Sequence, residues 1–287
     1  MDWYIHHVNT PAVRVQRVAR FLEDIVGMVH GSRWLYPKEA GHLDHNPDTI
    51  AFYGEECRGI HVCKPLEDFA QNNGFLHNPT IGGHFALNVR EIDAIKSRLT
   101  TAGVAYTDAG MFAIDGAVQV YFFDPSMNLI EVNEIVDPAG GTGPRKGEAQ
   151  DIHKELGDWY IHHVCLSVHN LSESAEFFGN VVGLGTATYT RMEDGPNYVM
   201  FGTDNRGLHL VEPDPVAASR AGLFHNPTLG GHYCIAVEDL DAVRSKLDAN
   251  NTPYSTASSY EFDGVEQLYV FDPEYRLVEI CELTDTQ

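Results

Sequence analysis

Two histidines and one glutamate recur in the same order in the two halves of this 287-residue chain: His7, His84 and Glu131, then His163, His232 and Glu279. Two imidazoles and one carboxylate form the facial ligand set of non-haem Fe(II) enzymes, because three protein donors leave coordination positions open for substrate and dioxygen. A lone strand histidine is ordinarily a hydrogen-bonded structural residue. Glu279 is harder to explain that way, since it sits in the apolar run Leu277 to Cys281. An unpaired carboxylate in a sheet interior costs on the order of several kcal/mol, and a divalent cation is a partner that offsets the cost.

Convergence of these side chains depends on strand faces, because successive side chains of a strand point to opposite sides. Strict alternation over Trp159 to Val168 puts Tyr160, His162, Val164, Leu166 and Val168 on a helix-facing side and Ile161, His163, Cys165 and Ser167 on the other. The same rule groups His232 with Cys234 and Ala236, and Glu279 with Cys281. His209 and Tyr269 lie opposite Leu208/Leu210 and Leu268/Val270, which adds them to the pocket; His61 and Tyr121 are their first-half counterparts. Cys165, Cys234 and Cys281 line the second pocket where the first has Asn9, Ala86 and Asn133, so the second is the softer of the two. They are expected to pack as small apolar side chains, not to ligate. His6 and His162, on the opposite faces, are expected to hydrogen-bond locally. His77 and His225, in loops beside Gly-Gly, reach the pocket mouth, or the Asn-Pro turn alone explains their motif.

The elements that position these residues are themselves repeated. Trp3-Tyr-Ile-His-His-Val8 returns unchanged as Trp159–Val164, and His77-Asn-Pro-Thr-Ile-Gly-Gly-His84 returns as His225–His232 with one conservative change. The first half carries an insertion within Trp34 to Asp48. Each half reads as strand, helix and three strands, twice over. In the second half the spacing predicts a helix from a Ser172 cap, with Glu176 in its first turn, to Val182 before Gly183. Strands are predicted at Leu184 to Thr190, Tyr198 to Phe201 and Leu208 to Val211, the last two joined by a turn at Asp204 to Gly207. The next module has a strand at His232 to Val237, a helix at Leu240 to Asn250 and strands near Tyr254, at Gln267 to Phe271 and at Leu277 to Cys281. The fold class is therefore α+β: four βαβββ modules in two tandem paired-module half-barrel domains, 1–136 and 158–287, with 137–157 as linker.

Net charge is −22, from 41 acidic and 19 basic residues, which repels phosphate backbones and anionic lipid heads and argues against nucleic-acid and membrane partners. No apolar run approaches the roughly 18 residues of a membrane span. The five cysteines, an odd count without a secretory-type N-terminal segment, point to a reducing cytoplasm.

Paired βαβββ modules with His on the first strand, His on the fifth and Glu on the last resemble the vicinal oxygen chelate superfamily. The run His163-Val-Cys-Leu-Ser-Val-His-Asn-Leu171 is similar to its opening strand, and Tyr121-Phe-Phe-Asp-Pro-Ser-Met-Asn-Leu-Ile-Glu131 is similar to the closing segment of catechol 2,3-dioxygenases. For a type I extradiol enzyme the resemblance implies Fe(II) held by His163, His232 and Glu279, a substrate hydroxyl contacted by Tyr269 and acid/base work by His209. It implies a catechol-like substrate and dioxygen; a homo-oligomer is the expected assembly. Mn(II), Zn(II) and Ni(II) are alternatives to iron. A glyoxalase-type isomerase, lyase or epimerase, with His209 as fourth ligand, is the alternative function; a non-catalytic resistance-type binding protein is the third.

Overall fold

The structure, a computed structural model, describes residues 3–29, 31, 46–55, 58–114, 116–135, 159–191, 197–203, 205–257 and 265–282. Cys57, the linker at 137–157 and most of the insertion within Trp34 to Asp48 lie outside the described residues. In the first half the elements are β1 (Trp3–Pro11), α1 (Val15–Arg20), β2 (Ile50–Glu55), β3 (Arg58–Cys63), α2 (Phe69–Asn73), β4 (His84–Val89), α3 (Ile92–Thr101), β5 (Tyr106–Asp108), β6 (Ala117–Phe123) and β7 (Leu129–Ile135). The second half has β8 (Trp159–Ser167), α4 (Leu171–Glu176), β9 (Thr188–Arg191), β10 (Asn197–Thr203), β11 (Arg206–Val211), α5 (Ala217–Ala221), β12 (His232–Val237), α6 (Leu240–Ala249), β13 (Tyr254–Thr256), β14 (Gln267–Phe271) and β15 (Leu277–Glu282).

A strand that returns parallel to its predecessor needs a crossover, and the helix of each module supplies it. The first and last strands of the modules pair in parallel, β1 with β3, β4 with β7, β8 with β11 and β12 with β15. Two modules then join through antiparallel pairing of their first strands, β1 with β4 and β8 with β12. The result is a seven-stranded sheet, β2-β3-β1-β4-β7-β6-β5, and an eight-stranded one, β13-β14-β15-β12-β8-β11-β10-β9. This order makes the three strands that carry His163, His232 and Glu279 immediate neighbours.

Strict alternation fails at one place in each half, and the failure shapes the site. Ile161 pairs with Ile235 while His163 pairs with Cys234, so His162 is an extra residue in β8; His6 is its equivalent between Ile5 and His7. Such a β-bulge shifts the inside–outside alternation by one residue. Trp159 and Ile161 therefore enter the main apolar core together with Val164, Leu166 and Val168, whereas Tyr160 packs with Cys234, Ala236 and Cys281 on the opposite side. The expected partition, Tyr160 and His162 with Val164 and Ile161 with His163, is corrected accordingly. On β11, β12, β14 and β15 the alternation holds: Leu208, Ile235, Leu268 and Ile280 are in the core.

Two local expectations also change. The helix after β8 is capped by Asn170, whose side chain accepts the Glu173 N–H at 3.1 Å, and Ser172 lies within it. Asn170 precedes the first buried helical residue, Leu171, as a cap should. The helix continues as a π-helical turn, Phe177–Val182, matched by Phe21–Val26 in the first half, and each turn ends on a left-handed glycine, Gly183 (φ 88°) and Gly27 (φ 90°). The strand expected from Leu184 begins only at Thr188.

The apolar core is shared between halves, because residues of both sheets and of α1, α3, α4 and α6 belong to one cluster. Arg98 on α3 donates from Nε to the Val181 carbonyl at 2.7 Å and from a terminal nitrogen to Val182 at 3.0 Å, so it caps the π-turn of the other half. Trp3 reaches the Leu184 carbonyl at 3.2 Å. Among the described residues no helix is long and apolar enough to cross a membrane.

Candidate metal centres

Each half brings its own two histidines and glutamate together. In the second, His163 Nε2 lies 3.4 Å and His232 Nε2 3.1 Å from Glu279 Oε2; in the first, His7 Nε2 lies 3.4 Å and His84 Nε2 3.2 Å from Glu131 Oε2. Within each set the ligating atoms lie within 4.8 Å of one another. Two donors each about 2.1 Å from a common ion, at right angles, stand about 3.0 Å apart, close to these separations. Glu131 and Glu279 have 0% and 1% of their surface exposed, which makes an unmet charge expensive.

The ionisation states suit a cation. Burial alone would raise the Glu131 and Glu279 carboxyls, yet the adjoining imidazoles hold both well below the usual carboxylate range. Burial in turn lowers His84. An ionised carboxylate is the form that binds metal. Two atoms of the first set, His7 Nε2 and Glu131 Oε2, are buried without a hydrogen-bond partner, and they face one another. The residues present therefore fit a divalent ion.

Surrounding groups aim the ligands. Gln119 Nε2 donates to Glu131 Oε1 at 2.5 Å and Gln267 Nε2 donates to Glu279 Oε1, which leaves Oε2 of each carboxylate toward the histidines. In the first half Asn133 adds a second bond to Oε1 at 3.1 Å and is itself held by Asn88 at 2.8 Å. Sequence reasoning missed both glutamines, although their matching places, Gln-Val-Tyr121 and Gln-Leu-Tyr269, were a usable signal. His84 and His232 donate from Nδ1 to the carbonyls of Pro79 and Pro227, each at 3.1 Å, which fixes the tautomer and leaves Nε2 as the atom able to ligate. This accounts for the Asn-Pro-Thr motif: Asn226 accepts from the Thr228 N–H at 3.0 Å and so shapes the turn that presents the Pro227 carbonyl. The adjoining His residues hydrogen-bond elsewhere, His77 to Thr107 and His225 to Ser255, each at 2.8 Å. His225 is buried against Phe271, with ring centroids 4.6 Å apart, and burial brings its pKa down to about 4.

The bulge histidines act on the first-strand ligands. His6 and His7 approach through their Nδ1 atoms at 2.9 Å, as do His162 and His163. On the other side, His61 stacks on His7 (centroids 4.2 Å) and His209 on His163 (4.1 Å), so each ligand ring is wedged. His209 donates from Nε2 to the Asn205 carbonyl at 3.0 Å. Tyr121 and Tyr269 are buried and stand edge-on to His84 and His232 at 5.5 and 5.8 Å. Burial and the Glu279 charge push the Tyr269 phenol well above its ordinary value.

Cys165, Cys234 and Cys281 are all buried in the second half. Burial raises the Cys165 and Cys234 thiols, which keeps them protonated. Cys234 Sγ comes within 4.8 Å of ring nitrogens of His162 and His163. A cavity of about 810 Å³ lies between the halves and reaches His84 from one side and His232 from the other.

Residues 160–280 match the sequence profile of the Glyoxalase/Bleomycin resistance protein/Dioxygenase superfamily. The second half is a domain of that superfamily. Nearly the whole chain is also similar in fold to solved structures. A halotolerant catechol dioxygenase, BphC, matches with a TM-score of 0.61 and 15% identity over 99% of this chain and 89% of its own. The 2,2',3-trihydroxybiphenyl 1,2-dioxygenase of Sphingomonas wittichii matches with 0.61 and 14% over 98% and 89%. An Mn(II)-bound glyoxalase of Novosphingobium aromaticivorans matches with 0.59 and 15% over 97% and 81%. At such identities the likeness is one of fold: two tandem glyoxalase/extradiol-type units. No curated protein sequence matches the chain.

Proposed function

We propose that the protein is a metal-dependent ring-cleaving dioxygenase of extradiol type, acting on a catechol-like small molecule in its second half. The observation that carries this reading is the buried convergence of His163, His232 and Glu279, with the tautomer of His232 and the orientation of Glu279 fixed from behind. These three residues would hold Fe(II), with Mn(II) as the nearest substitute. When bound, such an ion polarises two adjacent substrate oxygens and, as iron, supplies redox chemistry toward dioxygen.

The protein's own groups do the rest. Tyr269, kept protonated by its surroundings, donates a hydrogen bond to a substrate oxygen beside His232. His209 is the proton carrier; with Nε2 donating to Asn205, exchange at this ring falls to Nδ1. Ala217, Leu223 and Ala257 pack around Tyr269 and give the ring of an aromatic substrate an apolar wall that excludes water. The glyoxalase-type alternative needs His209 as a fourth ligand, and its ring nitrogens lie outside the converging set.

Anaerobic purification with metal quantification, followed by oxygen uptake over a panel of catechols, tests the reading. Bound iron and substrate-dependent uptake that Glu279→Ala abolishes are expected. Zinc or nickel without uptake, or full activity in Glu279→Ala, overturns it.

A further inference from the structure

The first half has every polar group of the second half's site but a different interior. Phe69, on α2, and Phe75 occupy the places that Ala217, on α5, and Leu223 hold in the second half. Phe69, Phe75 and Phe112 pack edge to face, with centroids 5.3 to 5.7 Å apart, and Phe75 continues to Tyr121 at 6.2 Å. These rings pack on the Tyr121 side of His84, where the pocket that Tyr121, His84 and Asn9 share with them measures about 70 Å³; the larger cavity between the halves meets His84 separately. A water needs only about 10–15 Å³ of such space, whereas pockets for organic ligands typically run from about 300 Å³.

We propose that His7, His84 and Glu131 form a second metal site, filled together with that of the other half, and that on its aromatic, Tyr121 side this first site has room for water and not for an organic substrate. The orphaned His7 Nε2 and Glu131 Oε2 are what a cation there would satisfy. The carboxylate is built for one-oxygen coordination, since Gln119 and Asn133 both donate to Oε1 and Oε2 alone faces the two imidazoles. The Asn88–Asn133 amide pair makes this cage harder than the thiol-lined second one, which suits an oxygen-preferring divalent ion such as Mn(II).

The test is a metal count on the intact chain. Protein stripped with chelator is reloaded with Mn(II), desalted and analysed by mass spectrometry of the metal. Two ions per chain are expected for wild type, one for Glu131→Gln and one for Glu279→Gln. A single ion that Glu279→Gln removes overturns this proposal and leaves the second-half reading standing; a single ion that Glu131→Gln removes overturns the joint filling of the two sites and undermines the second-half reading with it. No ion at all overturns both. Because Glu279→Gln by itself isolates the first site, misfolding of Glu131→Gln does not spoil the result.

Discussion

At the scale of single residues, the two converging triads were legible because they are polar groups where a sheet interior should be apolar, and because they occur twice. Their supports were not. A glutamine on a strand has nothing in its local sequence to distinguish a solvent-facing amide from Gln267, which is 1% exposed and bonded to Glu279. Only the antiparallel register that sets Gln267 against Cys281, two residue pairs from Tyr269 against Glu279, brings the amide to the carboxylate. Gln267→Leu should leave the fold intact and weaken metal affinity by about 10- to 100-fold, as loss of an outer partner to a ligand does elsewhere. A metal titration monitored by competition with a chelating dye checks this, and unchanged affinity would show that Glu279 is held by other means. The proline carbonyls were equally hidden, since a backbone acceptor carries no residue signature.

At the scale of elements, strand and helix order was readable from periodicity, and most faces followed. The exception is β8, where alternation predicts the wrong side for Tyr160 and Ile161. A bulge is a backbone event set by pairing with β12, and no residue in Trp-Tyr-Ile-His-His-Val announces it. Deleting His162 would leave Ile161 against Ile235 and His163 against Cys234 with unbroken alternation, so Trp159 and Ile161 would stay in the core. Turning those two large apolar side chains out would cost about 3 to 6 kcal/mol, at about 1.5–3 kcal/mol each, and the deletion should cost clearly less than that. Urea denaturation would register the difference, and a loss of the full amount would refute the account. His162→Ala, which keeps the residue count, should also spare most of the stability and affect chiefly metal affinity, because the Nδ1 contact to His163 is lost.

For the whole molecule, the repeat predicts two similar halves but says nothing of how they meet. They meet through helices: the core is continuous, and Arg98 of one half caps carbonyls of the other. Arg98→Ala removes two charge-assisted bonds at a part-buried seam and should cost about 2 to 4 kcal/mol, at roughly 1–2 kcal/mol per bond after partial exposure is allowed for. Calorimetry should still find one cooperative transition, shifted to lower temperature. Two resolved transitions would mean that the shared core does not couple the halves. A consequence follows for the history of such a chain. Each triad is closed within its own half while the scaffold is held in common, so stability binds the two copies together and chemistry does not. Either pocket can change its lining, thiol for amide or phenylalanine for alanine, without unseating the other. The duplication is thus joint in its folding and separable in its buried polar clusters, an arrangement that lets the surroundings of one triad drift while those of its twin stay as they are.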